Sequence, residues 1–257
     1  MQVHVFTASV DFLKIVFEIC TVNRVYCERN RVSADLFDFC KWHEIEILLI
    51  NELPSPEKLL GRNSEVKLAI VFGFGLIFER THISAYPFGI WNVHPGELPK
   101  YRGRHPITSA FINNEKSIGI VIHKINENID QGELLAIDYV SREYKDTENL
   151  VMSKIISKLR SGLLLEAFKN YTEGKSKPIP YAPYNANFLD GIKIENSILF
   201  TQEFLYNAFL AQADYGGVEI QGERFHIAHF YNEEVEQILG GAKIKCSNGY
   251  LLIFKKT

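Results

Sequence analysis

Residues 91–103 read WNVHPGELPKYRG, and residues 126–135 read NENIDQGELL. The first stretch places an amide, Asn92, two residues before an imidazole, His94. The second places a carboxylate, Asp130, in a turn that contains glycine. An amide can stabilise an oxyanion, an imidazole can accept a proton, and a carboxylate can orient the imidazole. The two stretches therefore supply the components of a reaction centre, which the rest of the chain must bring together.

One predicted strand precedes the first stretch, and a second predicted strand leads into it. Residues 67–72 are dense in aliphatic side chains, which is typical of buried parallel strands, and Gly-Phe-Gly follows at residues 73–75. Residues 89–93 predict the next strand, which would deliver the amide and the imidazole at its end. Ligands of open α/β sheets bind at the carboxyl ends of parallel strands. The pattern therefore predicts a ligand site at this edge of a sheet.

The beginning of the chain favours the α/β class. Residues 3–7 predict a first strand, and residues 9–19 predict a helix with apolar side chains on one face. The turn between them carries no glycine, so it lacks the GxGxxG pattern of a dinucleotide-binding loop. We therefore expect a Rossmann-like domain that does not bind NAD or FAD through that loop.

Composition limits the classes of function. The hydrophobic fraction of 46% is sufficient for a large core, and the net charge is −3 with a pI of about 6.3. An acidic chain argues against a nucleic-acid partner, because nucleic-acid-binding domains usually carry a basic face. No apolar run approaches the ~20 residues of a membrane span, and no signal peptide is recognisable.

Cysteine usage favours a cytoplasmic protein. The cysteines do not form a CxxC pair, and the pattern is typical of reduced thiols rather than disulfides. The four positions are Cys20, Cys27, Cys40 and Cys246.

Two domains are predicted. A long amphipathic helix is expected over residues 147–171, and a proline-containing linker over residues 174–183. Short β-like runs and one helix, over residues 202–213, follow the linker. The predicted domains are a Rossmann-like catalytic domain over residues 1–178 and a smaller β-rich C-terminal domain over residues 184–257.

The two opening stretches resemble a known family. N-V-H-P-G-x-L-P-x-Y-R-G at residues 92–103 and I-D-Q-G-E-L at residues 129–134 are similar to the formyltransferase superfamily that uses 10-formyltetrahydrofolate. The superfamily includes glycinamide ribonucleotide transformylase, methionyl-tRNA formyltransferase and the sugar N-formyltransferases. The resemblance is strong over residues 68–136 and extends over residues 1–175. It implies a formyl transfer to an amine, with tetrahydrofolate as a product.

The resemblance implies a role for each member of the trio. Asn92 would stabilise the oxyanion, His94 would act as the base, and Asp130 would orient the imidazole. Residues 71–77, VFGFGLI, resemble the family segment that lines the cofactor cleft, and residues 125–132 resemble the loop whose backbone meets the pterin. The implied cofactor-binding residues are Phe74, Gly75, Leu76, Ile77, Ile125, Ile129 and Asp130.

The acceptor is less clearly indicated. The form R-G-x-H-P-I at residues 102–107 is similar to enzymes that formylate an amino sugar on a nucleotide diphosphate, and cationic side chains beside it would suit the diphosphate. Such reactions serve bacterial surface glycans at the level of the family. Methionyl-tRNA formyl transfer is the alternative, because residues 190–196, DGIKIEN, faintly resemble a segment of those enzymes. The expected substrate-binding residues are Lys100, Tyr101, Arg102, Gly103, Arg104, His105 and Pro106.

Other features leave alternatives open. His105 either touches substrate or caps the next helix, and His123 is interpreted as a core or surface residue of a strand. His226 and His229 fall on opposite faces of a β-like run, so no metal site is expected. The β-rich tail could pair subunits or hold the nucleotide, which leaves a homodimer open.

Overall fold

The computed structural model describes residues 1–61, 65–183, 191–231 and 241–255. The strands of the larger sheet are β1 (Gln2–Thr7), β2 (Thr21–Glu28), β3 (Glu46–Ile50), β4 (Leu68–Phe72), β5 (Ile90–His94), β6 (Ser117–Lys124), β7 (Glu133–Ser141) and β8 (Lys177–Pro178). The helices up to the linker are α1 (Val10–Ile19), α2 (Ala34–Trp42), α3 (Pro56–Leu60), α4 (Arg80–Ser84), α5 (Pro106–Ile112), α6 (Glu148–Lys158) and α7 (Leu164–Thr172). The later elements are β9 (Ile192–Ile194), α8 (Gln202–Gln212), β10 (Val218–Ile220), β11 (Glu223–Phe225), β12 (Ile227–Phe230), β13 (Ala242–Cys246) and β14 (Gly249–Phe254).

The eight strands of the larger sheet lie in the order β3-β2-β1-β4-β5-β6-β7-β8. The first five are parallel to their neighbours, and β6 runs antiparallel to β5. The order of the parallel strands reverses between β1 and β4, which is the arrangement of a Rossmann-like sheet. Strand β4 is buried along its whole length, as its aliphatic composition predicts. The predicted α/β class with a Rossmann-like domain is confirmed.

Aromatic side chains form much of the core on one side of this sheet. The rings of Phe6 and Tyr26 stack with their centroids 4.5 Å apart, and Phe78 meets Phe6 edge-on at 5.0 Å. Elsewhere the fully buried Trp91 packs against Phe168 of α7, with ring centroids 4.8 Å apart. Such large aromatic side chains bury much apolar area, and this packing holds β5 in place.

The long helix predicted over residues 147–171 is interrupted. A π-helical turn, residues 159–163, separates α6 from α7, and Gly162 within it has a φ of 123°. Glycine adopts that conformation readily, whereas other residues rarely do, so Gly162 allows the helix to break here. The periodic apolar pattern of the sequence continues across this break. The side chains of Val151, Ile155 and Leu159 are nevertheless buried, as the stripe predicts.

The C-terminal strands form two small sheets, in the orders β11-β10-β9 and β12-β14-β13. Helix α8 begins after the N-cap Thr201, whose hydroxyl accepts from the Phe204 N–H. Its buried residues share a core with the strands. The predicted smaller β-rich region and its helix are therefore present.

The described chain divides into two compact units. The first comprises residues 1–102, 119–138 and 155–183, and the second comprises residues 103–118, 139–154 and the residues from 184 onward. Each unit combines separate segments of the chain, whereas the predicted domains divide the chain at one place. Those boundaries stay a prediction, and residue 184, the predicted start of the second domain, lies outside the described residues.

None of the helices in the described part of the chain has the length and apolarity needed to cross a bilayer. The four cysteines are buried free thiols.

Candidate active site

Strand β5 presents the amide and the imidazole of the first motif. Asn92 and His94 are two residues apart, so their side chains leave the same face of the strand. Parallel β4 lies on one side of β5 and antiparallel β6 on the other. The carboxyl end of β5 therefore places both groups at the edge of the sheet where the sequence predicts a ligand site.

Asp130 lies in the loop between β6 and β7. It is 8% exposed and adopts a left-handed backbone conformation with a φ of 54°. Aspartate tolerates this region better than most residues, although it still stores some strain. The turn that presents it depends on Gly132, where an added Cβ would lie 1.6 Å from the Lys124 carbonyl oxygen.

Both ring nitrogens of His94 face polar groups. Its Nε2 lies 2.6 Å from the Tyr101 carbonyl oxygen, and its Nδ1 lies 3.7 Å from Oδ2 of Asp130. A carbonyl only accepts hydrogen bonds, so Nε2 carries the proton and Nδ1 presents its lone pair. Burial lowers the pKa of His94 below its usual value, against the opposing pull of Asp130. The imidazole is therefore neutral at physiological pH, and Nδ1 is its basic atom.

His123 is a further member of the cluster. The sequence alone predicts it as a core or surface residue of a strand. It lies opposite Asn92 in the pairing of β5 with β6. The Asn92 side-chain amide donates to its Nε2 at 3.3 Å, and the same nitrogen lies 3.5 Å from Oδ1 of Asp130. The signal that could have found it is a histidine directly after the apolar residues 118–122, in the strand that pairs with β5.

The cluster of Asn92, His94, His123 and Asp130 is thus a connected polar group inside a largely apolar sheet. We refer to it as the NHHD cluster. Among the described residues, no group of three or more histidine, cysteine, aspartate or glutamate side chains has a geometry that could hold a metal ion.

The segment after β4 contains the first group of expected cofactor-binding residues. Phe74 packs edge-on against Phe6, with centroids 5.3 Å apart, and is partly buried. The Gly75 N–H donates to the carboxylate of Glu28 at 3.1 Å, which anchors the segment to the end of β2. Ile77 is 63% exposed. Leu76 is partly buried.

The second group lies at and after the end of β6. Ile125 is partly buried, and Ile129 is 38% exposed. Exposed isoleucines in two segments of the first unit provide apolar surface of the kind that a pterin ring requires. The side chains present are therefore compatible with a folate.

The expected substrate-binding residues differ in exposure. Lys100 and Arg104 are exposed, and the Lys100 ammonium lies 5.2 Å from the centre of the Tyr101 ring. Gly103 and His105 are partly buried. Pro106 is the first residue of α5, where a missing N–H causes no loss.

Arg102 differs from the cations beside it. It is 4% exposed, and its guanidinium donates to the carbonyl oxygens of Ile129 and Ala182. In this structure these donors point to backbone oxygens. Its assignment as a substrate-binding residue stays a prediction.

A match to a known protein family covers the segment that carries the NHHD cluster. Residues 55–167 match the formyl transferase family. All four cluster residues lie inside the matched segment. The predicted resemblance to the formyltransferase superfamily is therefore confirmed.

A curated relative also shares sequence with this chain. Methionyl-tRNA formyltransferase of Borreliella burgdorferi (strain ZS7) is 33% identical over 151 residues, which are 58% of this chain and 46% of the relative. The chain thus spans about half the length of the curated relatives it matches.

Two solved structures share the fold over the whole chain. The N-formyltransferase from Helicobacter canadensis, in complex with folinic acid and dTDP-3-aminofucose, has a TM-score of 0.69 at 15% identity and covers 100% of this chain and 99% of its own. A sugar 3N-formyl transferase, in the presence of dTDP and 5-N-formyl-THF, has a TM-score of 0.68 at 15% identity and covers 100% and 97%. These likenesses establish the fold.

Proposed function

We propose that the protein is an N-formyltransferase that transfers a formyl group from 10-formyltetrahydrofolate to the amino group of a nucleotide-linked amino sugar. The NHHD cluster carries the proposal, because it combines a neutral base, an orienting carboxylate and an amide donor inside the formyl transferase match. The fold of this chain resembles sugar enzymes over its full length, which supports the sugar as acceptor. The acidic net charge supports a small substrate over tRNA.

In this proposal His94 removes the proton from the attacking amine. The proton goes to Nδ1, because Nε2 already donates to the Tyr101 carbonyl. The imidazolium then carries a positive charge on the side that faces the Asp130 carboxylate, 3.7 Å away. The carboxylate stabilises that charge and faces the new Nδ1–H, whereas the bond from Nε2–H to the Tyr101 carbonyl fixes the orientation of the neutral ring.

Asn92 supplies the oxyanion donor. Its amide nitrogen has two N–H groups, and one of them donates to His123. This bond fixes the rotation of the amide, so the second N–H has a defined direction for the formyl oxygen. A preorganised donor of this kind requires little reorganisation as negative charge develops on the oxygen.

When bound, 10-formyltetrahydrofolate supplies the formyl group and leaves as tetrahydrofolate. The segments at residues 74–77 and 125–130 are proposed to hold it, with Ile77 and Ile129 against the pterin. Lys100 and Arg104 are exposed cations that suit the diphosphate of the acceptor. We place the enzyme in the cytoplasm of a bacterium, in surface-glycan synthesis, with a homodimer as its proposed assembly.

Methionyl-tRNA formyl transfer is the second candidate. The observation that favours it is the name of the curated relatives, two of which match this chain at 33% and 34% identity over 151 and 150 residues. For these two relatives the match spans 46% of their own length, so the parts of those proteins outside it are not represented in the comparison.

The two functions are separated by presenting both acceptors. The protein is incubated with 10-formyltetrahydrofolate and either a panel of nucleotide-linked amino sugars, including dTDP-3-aminofucose, or methionyl initiator tRNA. The products are analysed by mass spectrometry for one added formyl group. We expect the addition on an amino sugar and none on the tRNA. Formylation of the tRNA alone would replace the first function with the second.

A further inference from the structure

Arg102 is a buried cation whose side chain is bound to the backbone. Its Nε and Nη2 both donate to the Ile129 carbonyl oxygen, at 3.0 and 2.5 Å, and its Nη1 donates to the Ala182 carbonyl oxygen. The guanidinium carbon also lies 5.7 Å from the centre of the Tyr181 ring. The planar fork of an arginine can serve two carbonyls at once, which a lysine ammonium cannot do with the same geometry.

These contacts close a ring around the base. Tyr101, which precedes Arg102, accepts the hydrogen bond of His94 Nε2 through its carbonyl. Asp130, which follows Ile129, faces His94 Nδ1 with its carboxylate. Each nitrogen of the imidazole therefore faces one member of a dipeptide pair.

The Arg102 side chain joins those two dipeptides to each other. The path runs from Tyr101 to Arg102 along the chain, across to Ile129 through the guanidinium, and on to Asp130 along the chain. A displacement of either dipeptide would change both distances to the imidazole. Asp130 also has a left-handed backbone, which needs support from its surroundings.

We propose that Arg102 is a positioning residue that fixes the Asp130 carboxylate and the Tyr101 carbonyl on opposite sides of His94 and ties both to the chain at Ala182. The proposal rests on the proposed function for its effect on catalysis. It gives Arg102 a role distinct from binding the anionic acceptor, which the sequence expects of it. The exposed Arg104 and Lys100 remain the proposed anion-binding residues.

The test compares Arg102→Met and Arg102→Lys with the wild type, using the acceptor that the panel identifies. We expect Arg102→Met to lower kcat by about 10²-fold, because small misplacements of catalytic groups have effects of that order, with little change in the acceptor KM. Arg102→Lys should recover only part of the loss. Arg160→Met, at an exposed arginine, is the control and should leave kcat unchanged. A raised acceptor KM with an unchanged kcat would overturn the proposal and assign Arg102 to substrate binding.

A second measurement needs no substrate. The His94 ring protons are titrated by NMR in the wild type and in Arg102→Lys. Loss of the contacts that surround His94 should admit water and raise the pKa of His94 towards its ordinary value, since burial is the main cause of its lowering. An unchanged titration together with an unchanged kcat in Arg102→Lys would overturn the proposal. Because this readout is independent of the acceptor, it remains decisive if the panel shows a different formyl-transfer reaction.

Discussion

At the scale of single residues, the NHHD cluster depends on which atoms donate and which accept. The Lys124 carbonyl lies 3.0 Å from Nδ1 of His123, so that nitrogen carries the proton and Nε2 accepts from Asn92. The tautomer of one histidine thus fixes the rotation of the amide on the neighbouring strand. His123 acts through Asn92 in this account, and its effect on the reaction is indirect.

Replacing His123 tests that indirect role. In His123→Phe the Asn92 amide loses its acceptor, so we expect kcat to fall by up to about 10²-fold with little change in the KM of either substrate. Steady-state kinetics measure both quantities, with the exposed His43→Gln as a control of unchanged activity. A normal kcat in His123→Phe would show that the amide is held without this bond.

Outside the NHHD cluster, the buried His4 affects acid stability. His4 is fully buried between the Tyr86 hydroxyl and the Asn23 side chain, and burial lowers its pKa from 6.5 to about 4. As pH falls below 6.5, the unfolded chain takes up a proton that the folded chain does not, so stability is lost down to about pH 4. We expect this group to remove about 3 kcal/mol across that interval.

The comparison that isolates His4 is the free energy of unfolding as a function of pH for the wild type and His4→Gln. The variant should lose stability less steeply between pH 6.5 and 4. Parallel curves for the two proteins would contradict the assigned pKa shift.

At the scale of elements, the loop between β6 and β7 is the most constrained part of the site. Its glycine, Gly132, approaches the end of β6 so closely that a methyl group would overlap the Lys124 carbonyl. The same loop presents Ile129 and Asp130. The backbone of this loop, rather than its side chains, therefore sets the position of the carboxylate.

Gly132→Ala should move the loop and reduce both stability and activity. We expect a loss of unfolding free energy of about 1–3 kcal/mol from overpacking, and a lower kcat because Asp130 moves. Chemical denaturation and turnover measure the two effects. The control is Gly174→Ala, where the added Cβ meets no atom within 4 Å and only the positive φ of 64° is strained. If Gly132→Ala behaved like this control, the close approach would be unimportant.

At the scale of the whole molecule, the sequence predicts the elements well and their contacts poorly. Alternation of apolar residues and turn residues predicted β1, β4, β5 and the β-rich C-terminal region, because each pattern is local. It did not predict β8, which lies within the predicted linker. It missed the break at Gly162, where the apolar stripe continues across the π-helical turn.

The site shows the same division between local pattern and distant contact. The two motifs predict Asn92, His94 and Asp130 as one site, and the structure places these side chains in one cluster. The pairing of β5 with β6, which brings His123 into the cluster, and the burial of Arg102 on distant carbonyls depend on tertiary packing that spacing does not encode.

The central claim is that His94 is the base of a formyl transfer. It is tested most directly by the kcat of His94→Ala, measured with 10-formyltetrahydrofolate and the accepted amino-sugar nucleotide, alongside circular dichroism of the variant. The account predicts a fall in kcat of about 10²- to 10⁴-fold in a folded protein, which is the usual contribution of a general base. Near-normal turnover by His94→Ala would contradict it.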